Sequence, residues 1–166
     1  MQLNHYNTNF KPQQFPITIV CDNINNAPNI GSLFRTADAF GIENIVFCGE
    51  GITIGRKVTK TSRSTEKFVN YEFAKNTLEV ITSLKDKGCQ IIALEITSSS
   101  KPIHNHQFVQ NQPIALIIGD ENFGVSESLL KQCDHVLHIN MFGQNSSMNV
   151  VQATTIALYE ITKQLM

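Results

Sequence analysis

Three stretches of the 166-residue chain gather polar side chains around glycines in a way that could hold a ligand: Asn29 to Arg35, Gly119 to Gly124, and Ile139 to Asn149. The third is the most informative. It leaves a short apolar strand (Val136, Leu137, Ile139), turns through Gly143 and enters an apolar helix ending near Gln164. Ser146, Ser147 and Asn149 crowd the helix start, where the first backbone N–H groups lack partners and small polar side chains can cap. Such a junction aims backbone donors and the positive end of the helix dipole at whatever sits there. A capped helix explains this stretch alone equally well. The two earlier stretches of the same build make a shared site the better reading.

A fourth stretch, residues 55–67, carries five of the 13 basic residues against one acid and interleaves them with serines and threonines. A solvated loop is the ordinary account of a charge run. Hydroxyls between Arg56, Lys57, Lys60 and Arg63 also suit contacts to a nucleic-acid backbone.

The elements that must position these stretches alternate. Ile17–Cys21 reads as a strand. Leu33, Phe34, Ala37 and Phe40 share one helical face that stops at Gly41, and Arg35 projects away from it. Strands are expected at 44–48 and 90–96, with a helix at roughly 74–87 between them. The run from Pro113 to Gly119 is apolar throughout, as in strands covered on both faces. A helix over about 126–133, capped by Ser126, follows. Alternation at this spacing gives a doubly wound, mostly parallel α/β sheet with helices on both faces. Ligands bind such sheets outside the carboxyl ends of the strands. There the 27–35, 94–98, 119–124 and 139–149 stretches would converge.

Composition bounds the rest. The length predicts one domain over residues 17–166 behind a short polar lead-in, 1–16. Net charge is −1, so nothing global marks a nucleic-acid binder. The four cysteines are widely spaced, which predicts buried free thiols in a reducing cytoplasm. With no membrane-length apolar run and no signal peptide evident, the expectation is a cytoplasmic protein without membrane contact. His104 and His106 lack a third ligand at matching spacing, so no metal is expected.

The motif blocks resemble those of the SpoU family of tRNA and rRNA ribose 2′-O-methyltransferases, within the SPOUT class. Asn29-Ile-Gly31-Ser-Leu-Phe-Arg35-Thr-Ala37 looks like the first motif. Ile117-Ile-Gly119-Asp-Glu121-Asn-Phe-Gly124-Val-Ser126 looks like the second, and Ile139-Asn-Met141-Phe-Gly143-Gln-Asn-Ser-Ser147-Met-Asn149-Val150 like the third. They stand in the family's order, over residues 17 to 161. The departures are Asn140 in place of a usual proline, Asn122 of a glycine, Met148 of a leucine, and Val151 of a frequent serine.

The resemblance implies a C-terminal trefoil knot and S-adenosyl-L-methionine as cofactor. It implies that Leu94, Glu95, Gly119, Glu121, Gly124, Ile139, Met141, Ser147 and Met148 hold that cofactor. It also implies a homodimer in which the first motif of one chain reaches the cofactor of the other. Arg35, Asn29, Ser147, Asn149 and Glu121 would be the catalytic set. Arg35 would clamp an RNA phosphate and is proposed in the family as proton acceptor. Ser147 and Asn149 would orient Arg35 and the ribose. Asn29 would hold the first loop, and Glu121 the second through backbone N–H groups. RNA is the implied partner, contacted by Arg35, Arg56, Lys57, Lys60 and Arg63. With so short a lead-in, no added RNA-binding domain is expected, which would favour tRNA over rRNA. Thr61 to Val69 resembles relatives acting on the D-loop guanosine, while the anticodon wobble ribose stays open. The alternatives are a non-enzymatic RNA-binding relative and a generic nucleotide-binding domain, although no phosphate-loop or dinucleotide fingerprint follows the first strand.

Overall fold

The structure, a computed structural model, describes Thr8 and residues 10–166. The remainder of the expected lead-in, residues 1–7 and 9, lies outside the described residues. Seven strands form one sheet: β1 (Phe15–Asp22), β2 (Ile42–Cys48), β3 (Tyr71–Ala74), β4 (Gln90–Leu94), β5 (Lys101–Pro102), β6 (Ile114–Gly119) and β7 (His135–His138). Their order is β3-β2-β1-β6-β4-β7-β5, and every adjacent pair is parallel. β7 enters between β4 and β5, so the last strand occupies a gap spanned by an earlier connection.

Both faces are covered, as the apolar run of β6 requires. On one lie α1 (Ala27–Ala39), α2 (Arg56–Ser62) and α5 (Val150–Leu165), packed on Ile17, Ile19, Leu116 and Ile118. On the other, α3 (Thr77–Asp86) and α4 (Glu127–Leu130) cover Val20, Val46, Ile91 and Ile117. The alternation along β1 sends neighbouring residues to opposite cores, and a one-residue slip would exchange them. Leu33, Phe34 and Ala37 are fully buried. Burying a Leu or Phe side chain contributes about 1.5–3 kcal/mol, which fixes α1 on the sheet.

Several expectations need correction. Residues 55–67 are not a loop: α2 and a 3₁₀ turn over Thr65–Lys67 occupy them. Gly31 explains the docking, because a Cβ there would sit 2.7 Å from Thr61 Cβ and from the Val58 carbonyl oxygen. The strand expected over 90–96 ends at Leu94, where Glu95 N turns to the Leu137 carbonyl at 2.9 Å. Ser126 does not cap α4 with its side chain; its hydroxyl meets that of Ser128 at 3.0 Å. All four cysteines are free, but only Cys21 and Cys48 are fully buried. No helix among the described residues is long and apolar enough to cross a membrane.

Candidate active site at the carboxyl ends of the strands

A cleft of ≈ 560 Å³ opens beyond the ends of β4, β6 and β7. All nine residues expected to hold a cofactor line it. Leu94 and Glu95 come from the end of β4, and Gly119, Glu121 and Gly124 from the turn after β6. Ile139, Met141, Ser147 and Met148 come from the segment between β7 and α5. Ile96, Ile118, Leu130 and Ala153 add apolar wall, while Thr97 and His138 add polar groups. Gly143 is not in the lining, and a Cβ built on it meets nothing within 4 Å. The glycine through which the third stretch turns therefore faces open space.

The turn after β6 is held by close backbone approach. A Cβ on Gly119 would lie 2.2 Å from the Gly124 carbonyl carbon. Gly124 has φ +64, and a Cβ there would be 2.4 Å from Oε2 of Glu95. Neither position accepts a side chain without moving its neighbours. Asp120 Oδ1 accepts from the N–H groups of Asn122 (2.8 Å) and Phe123 (3.3 Å). Glu95 accepts from Val125 N at 2.9 Å through Oε2 and from Ile96 N at 2.9 Å through Oε1. Asp120 and Glu95 thus perform the backbone bonding that the motif resemblance implies for Glu121.

Glu121 does something else. Its Oε1 accepts from Nδ2 of Asn29 and from Nδ2 of Asn149, each at 2.8 Å, and Asn149 Nδ2 also lies 3.2 Å from Oδ1 of Asn29. One carboxylate oxygen therefore ties all three sequence motifs together. Asn149 has a second task, because its Oδ1 caps α5 by accepting from Val151 N (2.9 Å) and Gln152 N (3.4 Å). The cap of α1 is Asn26, which accepts from Asn29 N at 3.2 Å, so Asn29 stands inside the first turn with its side chain free for Glu121. Ser146 and Ser147 are exposed and do not cap.

Arg35 is exposed, as its position on α1 predicts, and does not line the cleft. Among the described residues it makes no hydrogen bond or ion pair, so Ser147, Asn149 and Glu121 do not orient it within one chain. The adjoining Thr36 meets Thr155 of α5 hydroxyl to hydroxyl at 3.2 Å, which places Arg35 beside the α1–α5 seam. On α5, Thr154, Ala157, Leu158 and Ile161 are buried, while Ile156 and Tyr159 face outward. The unpartnered apolar surface of this helix is narrower than its composition suggests. Arg56, Lys57, Lys60 and Arg63 are all exposed on or beside α2, and among the described residues no acid pairs with them.

One arrangement escaped the sequence. His138 Nδ1 lies 2.9 Å from the Ser100 hydroxyl and its Nε2 lies 3.1 Å from Oδ1 of Asn140. Ser100 in turn accepts from Thr97 N at 2.9 Å. This chain links the loop after β4 to the loop after β7, at the position where Asn140 replaces a proline. Among the described residues no group of three His, Cys, Asp or Glu side chains is placed to hold a metal ion.

Comparison with known proteins gives these features a context. The SpoU rRNA methylase family model matches residues 16–159. An uncharacterized tRNA/rRNA methyltransferase of Synechocystis is 31% identical over 150 residues, covering 90% of this chain but 38% of that protein. A Staphylococcus saprophyticus relative is matched over 58% of its length. The chain therefore spans only about two-fifths to three-fifths of these two. The tRNA (guanosine(18)-2′-O)-methyltransferase of Aquifex aeolicus is 29% identical over 155 residues, 92% of this chain and 71% of that one. The crystal structure of the A. aeolicus TrmH/SpoU tRNA-modifying enzyme superposes with a TM-score of 0.83 at 28% identity, over 92% and 77% of the two chains. An AdoMet-bound rRNA methyltransferase from Sinorhizobium meliloti shares the fold, with a TM-score of 0.85 at 23% identity over 95% and 59%.

Proposed function

Since the chain belongs to the SpoU rRNA methylase family, we propose that it is an S-adenosyl-L-methionine-dependent RNA ribose 2′-O-methyltransferase, acting on tRNA. The observation that carries this reading is the joining of Asn29, Glu121 and Asn149 through one carboxylate oxygen at the rim of the cleft. The three motifs are thereby built into a single site, as differential stabilisation of one reaction geometry requires.

The cleft fits the cofactor. Its ≈ 560 Å³ lies in the size range of cofactor sites, and its walls mix apolar side chains with a few placed polar groups. Gly119 and Gly124 keep the turn after β6 thin enough to form one wall. Leu94, Ile139, Met141 and Met148 would hold the cofactor's apolar parts, and Glu95, Glu121 and Ser147 its polar ones. When bound, S-adenosylmethionine supplies an electrophilic methyl group on a sulfonium.

The chain's own residues then position the acceptor. Arg35 clamps an RNA phosphate with two parallel N–H donors of its planar guanidinium. That grip brings the ribose 2′-oxygen into line and stabilises the charge that develops as its proton passes to solvent water at the exposed rim. Ser147 lines the cleft and is exposed, so its hydroxyl is free to meet the ribose. Asn149 and Asn29 act through Glu121, holding the loops. Because Arg35 stands outside its own cleft, we assign it to the cleft of a second copy in a homodimer built on the α1–α5 face, where Ile156 and Tyr159 are exposed. The entry of β7 between β4 and β5 supports the C-terminal knot. Free thiols at Cys21, Cys48, Cys89 and Cys133 suit the reducing cytoplasm.

The test is to map 2′-O-methylated positions in total RNA from cells with and without the gene. The reading expects a tRNA position to lose its methyl group. An unchanged map contradicts it.

A further inference from the structure

We propose that Phe68 is a stacking platform for an unpaired base of the RNA, with Tyr71 and Phe73 continuing the track along the edge strand. The inference rests on the RNA-modifying function proposed above. Phe68 is 77% exposed at the end of the 3₁₀ turn, and Tyr71 and Phe73 are 37% and 49% exposed on β3, the outermost strand. An aromatic ring presented to water forgoes the stabilisation of burial unless something covers it.

The exposure does not come from a slack segment. Phe68 N bonds to the Thr65 carbonyl at 2.9 Å, and the next residue, Val69, is buried. Thr65 Oγ1 donates to the Ser62 carbonyl at 2.7 Å, and the buried Ser62 hydroxyl is bonded to Glu66. Arg63 and Ser64 hold consecutive left-handed conformations, φ 52 and 70, that non-glycine residues seldom adopt. Backbone held in such conformations clusters at sites of function. Here it aims the turn outward.

The surroundings choose the partner. Arg56, Lys57, Lys60, Arg63 and Lys67 lie on this segment, a local charge of +4 in a chain whose net charge is −1. The one acid, Glu66, is engaged by Ser62. Two copies of this surface would set like charges against each other, so it is poorly suited to meet itself. Cations that follow a phosphate backbone beside aromatic rings that accept base faces are the two parts of a single-strand binding surface. The strip lies on the face of α1: Tyr71 stacks edge-on against Phe34 at 5.0 Å, and Gly31 seats α2 on that helix. RNA held here therefore runs toward the helix that carries Arg35.

The experiment compares Phe68→Ala, Phe68→Leu and Phe68→Trp, without cofactor, by anisotropy on an RNA hairpin with an open loop and on a blunt duplex of the same length. Alanine and leucine should weaken hairpin binding about 5- to 100-fold. Tryptophan should retain it, the duplex should be unaffected, and the salt dependence should stay parallel in all variants. Full affinity in the leucine variant, no loss in the alanine variant, or no hairpin binding by the wild type overturns the proposal. So does a change in sedimentation mass on Phe68→Ala, which would mean that a second copy covers the ring. Methyl transfer by the wild type is read separately, so failure here leaves the catalytic reading standing.

Discussion

Oε1 of Glu121 lies 2.8 Å from Nδ2 of Asn29, across 92 positions of sequence. Asn29 is buried, so its amide depends on that carboxylate. Glu121 is itself on an exposed turn and is fixed by the two asparagines that reach it. The dependence runs both ways.

Glu121→Ala removes the shared acceptor and leaves the Asn29 Nδ2 donor without one. An unsatisfied buried polar group costs about 1–3 kcal/mol. Urea denaturation should show a loss in that range, and Asn149→Ala a further cost of about 0.5–2 kcal/mol for its cap on α5. A Glu121→Ala variant as stable as the wild type would mean that the junction carries no stability.

The glycines of the second motif should behave differently from that of the third. Gly119→Ala and Gly124→Ala force the turn after β6 off Glu95 and off its own backbone. Calorimetric affinity for S-adenosylmethionine should fall by about tenfold or more in both, the equivalent of about 1.4 kcal/mol. Gly143→Ala meets nothing, so its affinity should match the wild type. The reverse ranking would place the cofactor against Gly143 and away from the cleft described.

Replacing Arg56, Lys57, Lys60 and Arg63 with glutamine should weaken RNA binding and flatten its salt dependence, by a slope of about 0.7–0.9 for each phosphate no longer neutralised. None of the four lines the cleft, so binding of S-adenosylmethionine should not change. An unchanged salt slope would leave α2 as solvated surface.

Burial pushes the His106 imidazole below its ordinary value, helped by His135, whose ring centroid is 4.5 Å away, and by Lys101. Its Nε2 is buried without a partner. A lowered pKa means that the folded state prefers the neutral ring, so this contribution is complete above the unfolded value of about 6.5 and is lost as pH falls below it. Thermal stability should decline from about pH 6.5 downward, and His106→Phe should flatten that decline. An identical pH profile in the variant would assign the decline to other groups.

What the sequence disclosed depended on how strongly each segment repeats. β6 was legible because its apolar residues in a row admit only a doubly covered strand, and α1 because Leu33, Phe34 and Ala37 share a face. α2 was not, because Val58 is the single apolar residue of Arg56–Ser62 and gives no period to read; its helix exists through docking at Gly31. β5 has two residues and β3 four, too few for a pattern. The residue types of the site were readable from the three motifs. Their partners were not, since Asp120, Glu95 and Glu121 are all acids on loops and only folding decides which backbone or amide each one meets.

The most direct test of the account is methyl transfer from labelled S-adenosylmethionine to total tRNA under single-turnover conditions, comparing the wild type with Arg35→Ala and Arg35→Lys. Arg35 is exposed, lies outside the cleft of its own chain and is assigned to the RNA phosphate and not to the cofactor, so both variants should fold and bind the cofactor as the wild type does. Transfer by Arg35→Ala should fall by orders of magnitude. Arg35→Lys should recover little of it, because an ammonium lacks the planar fork that grips a phosphate. No transfer by the folded wild type, or transfer by Arg35→Ala at the wild-type rate, would contradict the account.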